Sequence, residues 1–385
     1  MNSVYFDHNA TTALDNSVLE AMLPWMRVQS GNPTSRHVFG RSARDAVEHA
    51  RTQVAEACGA YSSQVIFTSC GTEANNFAIK GMAGHKPATQ LLTSAIEHPC
   101  VTRPAVALEK LGFINRQIGV NENGKVDLEK LKQLLTAPTS LVSVMLANNE
   151  TGVIQYVAAI AEMARSAGAY MHTDAVQALG KLPLNFADLN VHAMTISSHK
   201  IHGPQGAAAL ILDKRVDIDP LLHGGGQERG LRSGTENVAA IIGFGAACEL
   251  AIANQKSYAS HTQALREQFE QGLQSANKAF NVTIFGNNVA RLPNTSFVAI
   301  DNIEGETLVM ALDRKGYAVA SGSACSSDST EPSHVLLAMG VNADSARGAI
   351  RVSFGANNTA AQVTAFLVTL NNEVLRLKQL TAIAA

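Results

Sequence analysis

Short apolar runs alternate with amphipathic stretches along the first half of the chain. Runs at residues 65–68, 91–94, 141–146 and 170–173 each end in a polar turn, and most of these turns lead into apolar residues at helical spacing. Within a run the apolar residues are nearly continuous, which is typical of strands that are covered on both faces. The pattern therefore predicts an α/β fold with a mainly parallel sheet and helices on both faces.

The pattern changes in the last third of the chain. The predicted elements there no longer alternate. We expect one long helix or a helix pair at about 238–276, strands at 282–285, 296–299, 318–320 and 350–354, a helix at about 306–315, and a closing helix that Thr359 caps. We therefore expect a large domain at 16–255 and a smaller α+β domain formed by residues 1–15 and 256–385.

Composition narrows the range of partners. The 385 residues carry a formal net charge of −2, which favours neither nucleic acid nor an anionic membrane as a partner. No apolar run reaches the roughly 20 residues that span a bilayer, and the N-terminus lacks the pattern of a signal peptide, so we expect a cytoplasmic protein. The five cysteines are scattered without metal-type spacing, which argues against a disulfide framework or a zinc site.

Polar residues follow the carboxyl ends of the predicted strands. Thr72, His98, Asn149, Asp174 and Lys200 each come shortly after such a strand. Open α/β sheets bind ligands at this edge, so we expect these residues to converge on one cleft.

Lys200 is the candidate nucleophile of that cleft. An apolar run at 193–196 leads into Ser197, Ser198, His199 and Lys200. A partly desolvated lysine is a carbonyl nucleophile, and the hydroxyls and imidazole beside it could bind a phosphate. The combination suggests pyridoxal phosphate, although a lone lysine after a strand is more often an ordinary exposed residue.

Each of the other candidates has a simpler alternative. Asp174 could pair with a pyridine nitrogen or cap a helix that starts at Val176. Gln177 could donate to a ring oxygen or be a surface amide. Gly71 and Thr72 precede a helix expected from residue 73, so they could bind an anion, and Thr72 could also cap that helix. His98 could stack on a flat ring or be a capping residue.

Two candidates lie in the second domain. Cys325 sits in a small, polar segment at 321–328, where a thiol is expected to be exposed and mobile, so it is either a nucleophile or a tolerated surface cysteine. Arg351 lies on the strand face opposite Ile350 and Val352, where it could bind an α-carboxylate or form a surface salt bridge.

Several motifs together resemble the NifS/IscS-type cysteine desulfurases of the class-V aminotransferase family, which have the pyridoxal-phosphate transferase fold type I. The motifs follow in the family's order and read YFDHNATT at 5–12, GNP at 31–33, TSCGTE at 68–73, NNETG at 148–152, HTDAVQ at 172–177, TISSHKIHG at 195–203, RSGTEN at 232–237 and SGSAC at 321–325. Each motif is weak alone, and the set is specific.

The resemblance implies a complete site. The cofactor pyridoxal 5'-phosphate would be held covalently by Lys200, and its other binding residues would be Gly71, Thr72, His98, Asn149, Asp174, Gln177, Ser197, His199 and, from the second subunit of a homodimer, Thr235. Asn32, Asn149 and Arg351 would bind the substrate, and Asn149 matches the family's asparagine better than Asn148 by its spacing to Asp174.

The resemblance also implies the reaction. Lys200, His98 and Cys325 would convert L-cysteine to L-alanine and leave a persulfide on Cys325, in a loop at about 321–333, for a sulfur-acceptor protein. No intrinsic metal is implied, although Cys325 could be a transient iron–sulfur ligand. A selenocysteine lyase or an aminotransferase on the same fold is the alternative, and a silent sulfur-relay subunit is a weaker one.

Two departures from the family pattern bear on this reading. Cys70 stands where relatives often have glycine, and we expect it to be a bystander thiol. The chain ends soon after its last predicted helix, whereas relatives that serve iron–sulfur scaffolds often have a longer tail. The acceptor therefore stays open between an iron–sulfur scaffold, a tRNA thiolation pathway and a DNA phosphorothioation system.

Overall fold

The computed structural model describes residues 3–275, 280–322 and 331–384. The strands are β1 Val4–Tyr5, β2 Val65–Thr68, β3 Gln90–Ser94, β4 Ile114–Ile118, β5 Thr139–Ser143, β6 Tyr170–Asp174, β7 Ala193–Ser197, β8 Ala208–Leu212, β9 Val282–Ile284, β10 Thr295–Ile300, β11 Tyr317–Ala318, β12 Ala320–Ser321 and β13 Ala349–Ser353. The α-helices are α1 Asn16–Arg27, α2 Val38–Ala57, α3 Gly71–Gly84, α4 Pro99–Leu108, α5 Leu128–Leu134, α6 Val157–Ser166, α7 Phe186–Leu189, α8 Val238–Ser275, α9 Gly305–Asp313, α10 His334–Ala338, α11 Ala343–Arg347 and α12 Ala360–Ala384.

A seven-stranded sheet forms the centre of the larger unit. Its strand order is β2-β8-β7-β6-β5-β3-β4, and only β8 runs antiparallel to its neighbours. Alternate residues of one strand enter two different cores, since Ile66 and Leu91 pack in one while Phe67 and Leu92 pack in the other. Burial on both faces explains the continuous apolar runs, and the α/β architecture predicted from them is confirmed.

A second, smaller sheet lies in the C-terminal part of the chain. Its order is β12-β13-β10-β9, and it is antiparallel throughout. β1 pairs in parallel with β11, so the first residues join the C-terminal part of the chain. The expected boundary near residue 255 falls inside α8, which contributes Phe244 to the first core and Leu265 to the second.

One helix in the described ranges, α8, is long and apolar enough to cross a membrane by length and composition alone. A core helix meets the same criteria, and α8 packs against α1, α2 and α12.

Two strand predictions differ from the structure. β5 ends at Ser143, although the apolar run continues to Leu146 and the backbone N–H groups of Val144 and Leu146 still donate to the β6 carbonyls of His172 and Asp174. The single strand expected at 318–320 is divided into β11 and β12, which join different sheets. Hydrophobicity reports burial, and the buried run continues past the last residue of the strand.

Candidate active site

A cavity of about 360 Å³ opens at the carboxyl edge of the large sheet. It is lined by the segments that follow β2, β3, β5, β6 and β7, together with the N-terminal segment and β13. The predicted site residues that line it are Gly71, Thr72, His98, Asn149, Asp174, Gln177, Ser197, His199, Lys200 and Arg351.

Two predicted residues are not brought into this cavity. Asn32 and Thr235 are exposed on this chain, and the Asn32 side chain accepts hydrogen bonds from the Thr34 backbone and hydroxyl instead. Cys325 lies outside the described residues.

Lys200 is held at the wall of the cavity. β7 ends at Ser197, and a single 3₁₀ turn from Ser198 to Lys200 directs the chain towards the N-terminal segment. The Lys200 Nζ donates to the carbonyl oxygens of Asn9 and Ala10, both at 2.6 Å. The lysine is therefore half-buried and fixed at the cleft, unlike an ordinary surface lysine.

Asp174 ends β6 and is buried at the wall of the same cavity. One carboxylate oxygen accepts from the Asn75 Nδ2 at 2.7 Å, and the other accepts from the Val176 backbone N–H at 2.9 Å. The residues from Val176 form turns, so the alternative that Asp174 caps a helix is wrong. Both carboxylate oxygens thus accept a hydrogen bond, and Asp174 still lines the cavity.

The first turn of α3 offers the place for an anion. The helix begins at Gly71, and Cys70 is its capping residue, because the Cys70 Sγ accepts from the Glu73 backbone N–H. The predictions of a start at residue 73 and of Thr72 as the cap are therefore wrong, since Cys70 takes the extended conformation before the helix. Next to this turn, the Ser197 Oγ is buried without a hydrogen-bond partner in the described structure.

His98 caps α4 and is expected to be neutral. Its Nδ1 accepts from the Cys100 backbone N–H at 3.1 Å, which assigns the proton of the neutral ring to Nε2. Burial lowers the pKa of His98; the Asp174 charge opposes this and the Lys200 charge adds to it. The pKa of His199 is lowered to about 4, mainly by burial and also by Lys200.

Cys100 is a second thiol of the cleft that the sequence did not single out. Its Sγ lies 2.8 Å from the His98 Nδ1 and accepts from the Asn75 Nδ2 at 2.9 Å. Burial first, and then the Asp174 charge, raise the pKa of Cys100, so the thiol stays protonated and is a poor nucleophile.

Arg351 reaches the cavity from the small sheet. Its guanidinium donates to the Asp7 carboxylate at 2.7 Å and to the Asn149 carbonyl at 3.0 Å, with only 8% of the side chain exposed. The salt bridge is therefore buried in the cleft rather than on the surface. Asn148 is buried and its Oδ1 accepts from the next turn, which leaves Asn149 as the asparagine that lines the cavity.

Sequence reasoning missed the residues that support this site. Asn75 orients Asp174. Asn9 contacts both Lys200 and Gln177, and Lys181 contacts Gln177. Asn9 lies in one of the quoted motifs, but no spacing rule gave it a role.

Known proteins match the whole chain. The class-V aminotransferase family matches residues 4–366. Cysteine desulfurase 2 of Trichormus variabilis is 43% identical over 382 residues, which are 99% of this chain and 95% of the relative. This chain belongs to the class-V aminotransferase family, among its cysteine desulfurases.

Solved structures agree with that assignment. A NifS-like protein superposes with a TM-score of 0.90 at 39% identity and covers 97% of this chain and 100% of its own. A structure described as SspA in complex with cysteine has a TM-score of 0.80 at 31% identity, over 92% of this chain and 99% of that one. The expected fold type and the dependence on pyridoxal phosphate are confirmed.

The residues of the cavity fit that cofactor. The unpartnered Ser197 hydroxyl and the N-terminus of α3 offer donors to a phosphate. At Gly71 an added Cβ would lie 3.3 Å from the Val176 Cγ2, so the glycine keeps this corner open. Lys200 supplies the amine, and Asp174 supplies a buried carboxylate for a protonated ring nitrogen.

Proposed function

We propose that this protein removes sulfur from L-cysteine, releases L-alanine and carries the sulfur as a persulfide on Cys325. One cavity brings together Lys200, Asp174 and Arg351, and this observation carries the proposal. The relatives named cysteine desulfurase and the related structure in complex with cysteine support the choice of substrate.

The residues divide into those that bind and those that move a proton. Pyridoxal phosphate, when held at this site, would accept the electron pair that the substrate's Cα–H bond releases. Asp174 would hold the ring nitrogen, while Ser197, His199, Gly71 and Thr72 would bind the phosphate. Arg351 would bind the substrate carboxylate with N–H groups beyond those that contact Asp7 and Asn149.

Proton transfer is assigned to Lys200 and His98. Lys200 Nζ, once released, would take the Cα proton of L-cysteine, because it lies in the cavity between two carbonyl oxygens that orient it. The lowered pKa of His98 favours the neutral ring, and its Nδ1 accepts from the Cys100 backbone N–H, so His98 would stack on a flat ring and donate through Nε2.

Sulfur transfer needs no external oxidant. The Cys325 thiolate would attack the substrate sulfur, a new S–S bond would form, and the substrate C–S bond would break with its electron pair kept on carbon. That carbon then gains a proton, so L-cysteine and the Cys325 thiol become L-alanine and a Cys325 persulfide. A sulfur-acceptor protein, such as an iron–sulfur scaffold, would take the sulfur.

A homodimer and a cytoplasmic location complete the proposal. Thr235 is exposed and lies outside this chain's cavity, which suits a residue that serves the partner's phosphate site. Cys58, Cys70, Cys100 and Cys248 are free thiols, and free thiols suit a reducing compartment.

The test is an assay of L-cysteine with a thiol reductant that follows alanine and sulfide together. We expect the unchanged protein to release both products in equal amounts and to show one added sulfur on Cys325 by mass spectrometry. Lys200→Ala and Cys325→Ser should each release neither product. Cys58→Ala is the matched control, because this thiol is buried in the core away from the cavity. Amino transfer by Cys325→Ser at the wild-type rate would contradict the proposal and indicate an aminotransferase.

A further inference from the structure

A buried lysine that the proposed reaction does not use lies behind the cleft. Lys181 is 3% exposed, and its Nζ donates to the Gln177 Oε1 at 2.8 Å and to the Asn9 Oδ1 at 3.1 Å. Both acceptors are neutral amides. Two acceptors match the two N–H donors of a neutral amine, and burial does lower the pKa of Lys181 well below its usual value, with the Lys200 and Arg351 charges adding to the effect.

Asn9 connects this lysine to Lys200. The Asn9 carbonyl accepts from the Gln177 Nε2 at 2.9 Å and from the Lys200 Nζ at 2.6 Å. The Asn9 side chain is itself fixed, because its Nδ2 donates to the Thr295 Oγ1 at 2.8 Å. One buried residue of the N-terminal segment thus touches both site residues.

We propose that Lys181 is a positioning residue, which together with Asn9 fixes the orientation of the Gln177 side-chain amide and the place of the Lys200 amine. The inference rests on the proposed roles of Lys200 and Gln177 toward the cofactor.

The chemistry of the amide gives the reason. The oxygen and nitrogen of a carboxamide have nearly the same size, so packing alone does not choose between the two orientations. The Asn9 carbonyl can only accept and the Lys181 Nζ donates to Oε1, so the two contacts together favour the orientation with the Gln177 Nε2 towards Asn9. Gln177 then presents an N–H, rather than a lone pair, to the ring oxygen of the cofactor.

The pH titration of the absorption band of the lysine-bound cofactor, without substrate, tests this orientation. An N–H that donates to the ring oxygen favours the deprotonated form of the lysine-bound cofactor. Lys181→Met should therefore raise the apparent pKa of the band, which corresponds to a change of about threefold to tenfold in the deprotonation equilibrium. The dissociation constant of pyridoxal phosphate should rise by about tenfold, and the KM for L-cysteine should stay within about twofold, because Arg351 is untouched. Lys181→Arg keeps two donors and should restore the band.

A double-mutant cycle separates positioning from general stability. If Lys181 acts through Gln177, Lys181→Met combined with Gln177→Met should titrate like Gln177→Met alone, within about twofold. Additive shifts, or a Lys181→Met protein with an unchanged band and only a lower melting temperature, would overturn the inference.

A second variant covers the case in which Lys181→Met does not fold. Asn9→Ala removes the other acceptor of Lys181 and should move the band in the same direction, so an unchanged titration refutes the network. The titration of the band and the dissociation constant of pyridoxal phosphate need no turnover. A failure here therefore leaves the desulfurase proposal standing, and a protein that binds the cofactor as expected but yields no alanine fails only the latter.

Discussion

Replacing Glu97 with Gln should make the protein less sensitive to alkaline pH. Glu97 is fully buried beside His98, and its Oε1 accepts from the Ser94 Oγ and from the Met145 backbone N–H at 2.7 Å. Its Oε2 is buried without a partner in the described part of the chain. A Gln side chain keeps the Oε1 contacts and puts an uncharged group at the unpartnered position.

The expected magnitude follows from the pKa of Glu97. Burial, with a smaller contribution from the Asp174 charge, raises that pKa from 4.5 to about 8. The folded state therefore favours the protonated carboxyl, and this stabilisation is fully present below the unfolded pKa and is lost as pH rises through the folded pKa. The gap corresponds to about 5 kcal/mol in total, of which about 3 kcal/mol is lost between pH 5.5 and pH 8.

The assay is urea unfolding of the cofactor-saturated protein at pH 5.5 and pH 8, followed by circular dichroism. We compare the free energy of unfolding of Glu97→Gln with that of the unchanged protein at each pH. Relative to the unchanged protein, the variant should be about 3 kcal/mol more stable at pH 8 than it is at pH 5.5. Other titrating groups cancel in this difference. Glu162→Gln, on the exposed side of α6, is the matched control and should show no such change. A pH-independent difference for Glu97→Gln would refute the reasoning.

Three further substitutions test other parts of the structure. In the unchanged protein the Glu228 side chain is 2% exposed and its carboxylate pairs with Arg51 at 2.7 Å. Arg51→Met leaves this buried carboxylate without its charged partner, so the free energy of unfolding should fall by about 3–5 kcal/mol, and a loss under about 1 kcal/mol in urea titration would contradict this. Arg351→Lys keeps the charge but loses the planar fork, so the KM for L-cysteine should rise about tenfold or more in steady-state alanine assays, and an unchanged KM would remove Arg351 from the substrate site. Gly355→Ala places a Cβ 2.2 Å from the His8 ring, so thermal unfolding should show a loss of about 1–3 kcal/mol, and a wild-type melting temperature would show that the ring moves without cost.

The outline of the site could be predicted because its positions follow local patterns. The apolar runs located the strands, and the carboxyl ends of parallel strands meet at one edge, so Asp174 and Lys200 were expected in the same cleft and both line it. The resemblance to a known family favoured Asn149 over Asn148, and of these two only Asn149 lines the cavity.

Helix ends were less predictable than helices. The start of α3 depends on Cys70, whose extended backbone and thiol acceptor take the capping position that a hydroxyl at Thr72 was expected to hold. Serine, threonine, aspartate and asparagine are the usual caps, so the residue type pointed to the wrong position.

The sequence by itself determined the α/β architecture and pointed to Asp174 and Lys200 as residues of the cleft, since hydrophobic periodicity is written into consecutive residues. Only the tertiary structure decided what holds those residues. Lys181 and Asn9 are 172 positions apart, and Asn75 and Asp174 are 99 apart, so no local pattern links them. The raised pKa of Glu97 likewise comes from the removal of water by surrounding segments. Hydrogen-bond partners and desolvation are set where distant parts of the chain meet, and that meeting is a property of the folded state.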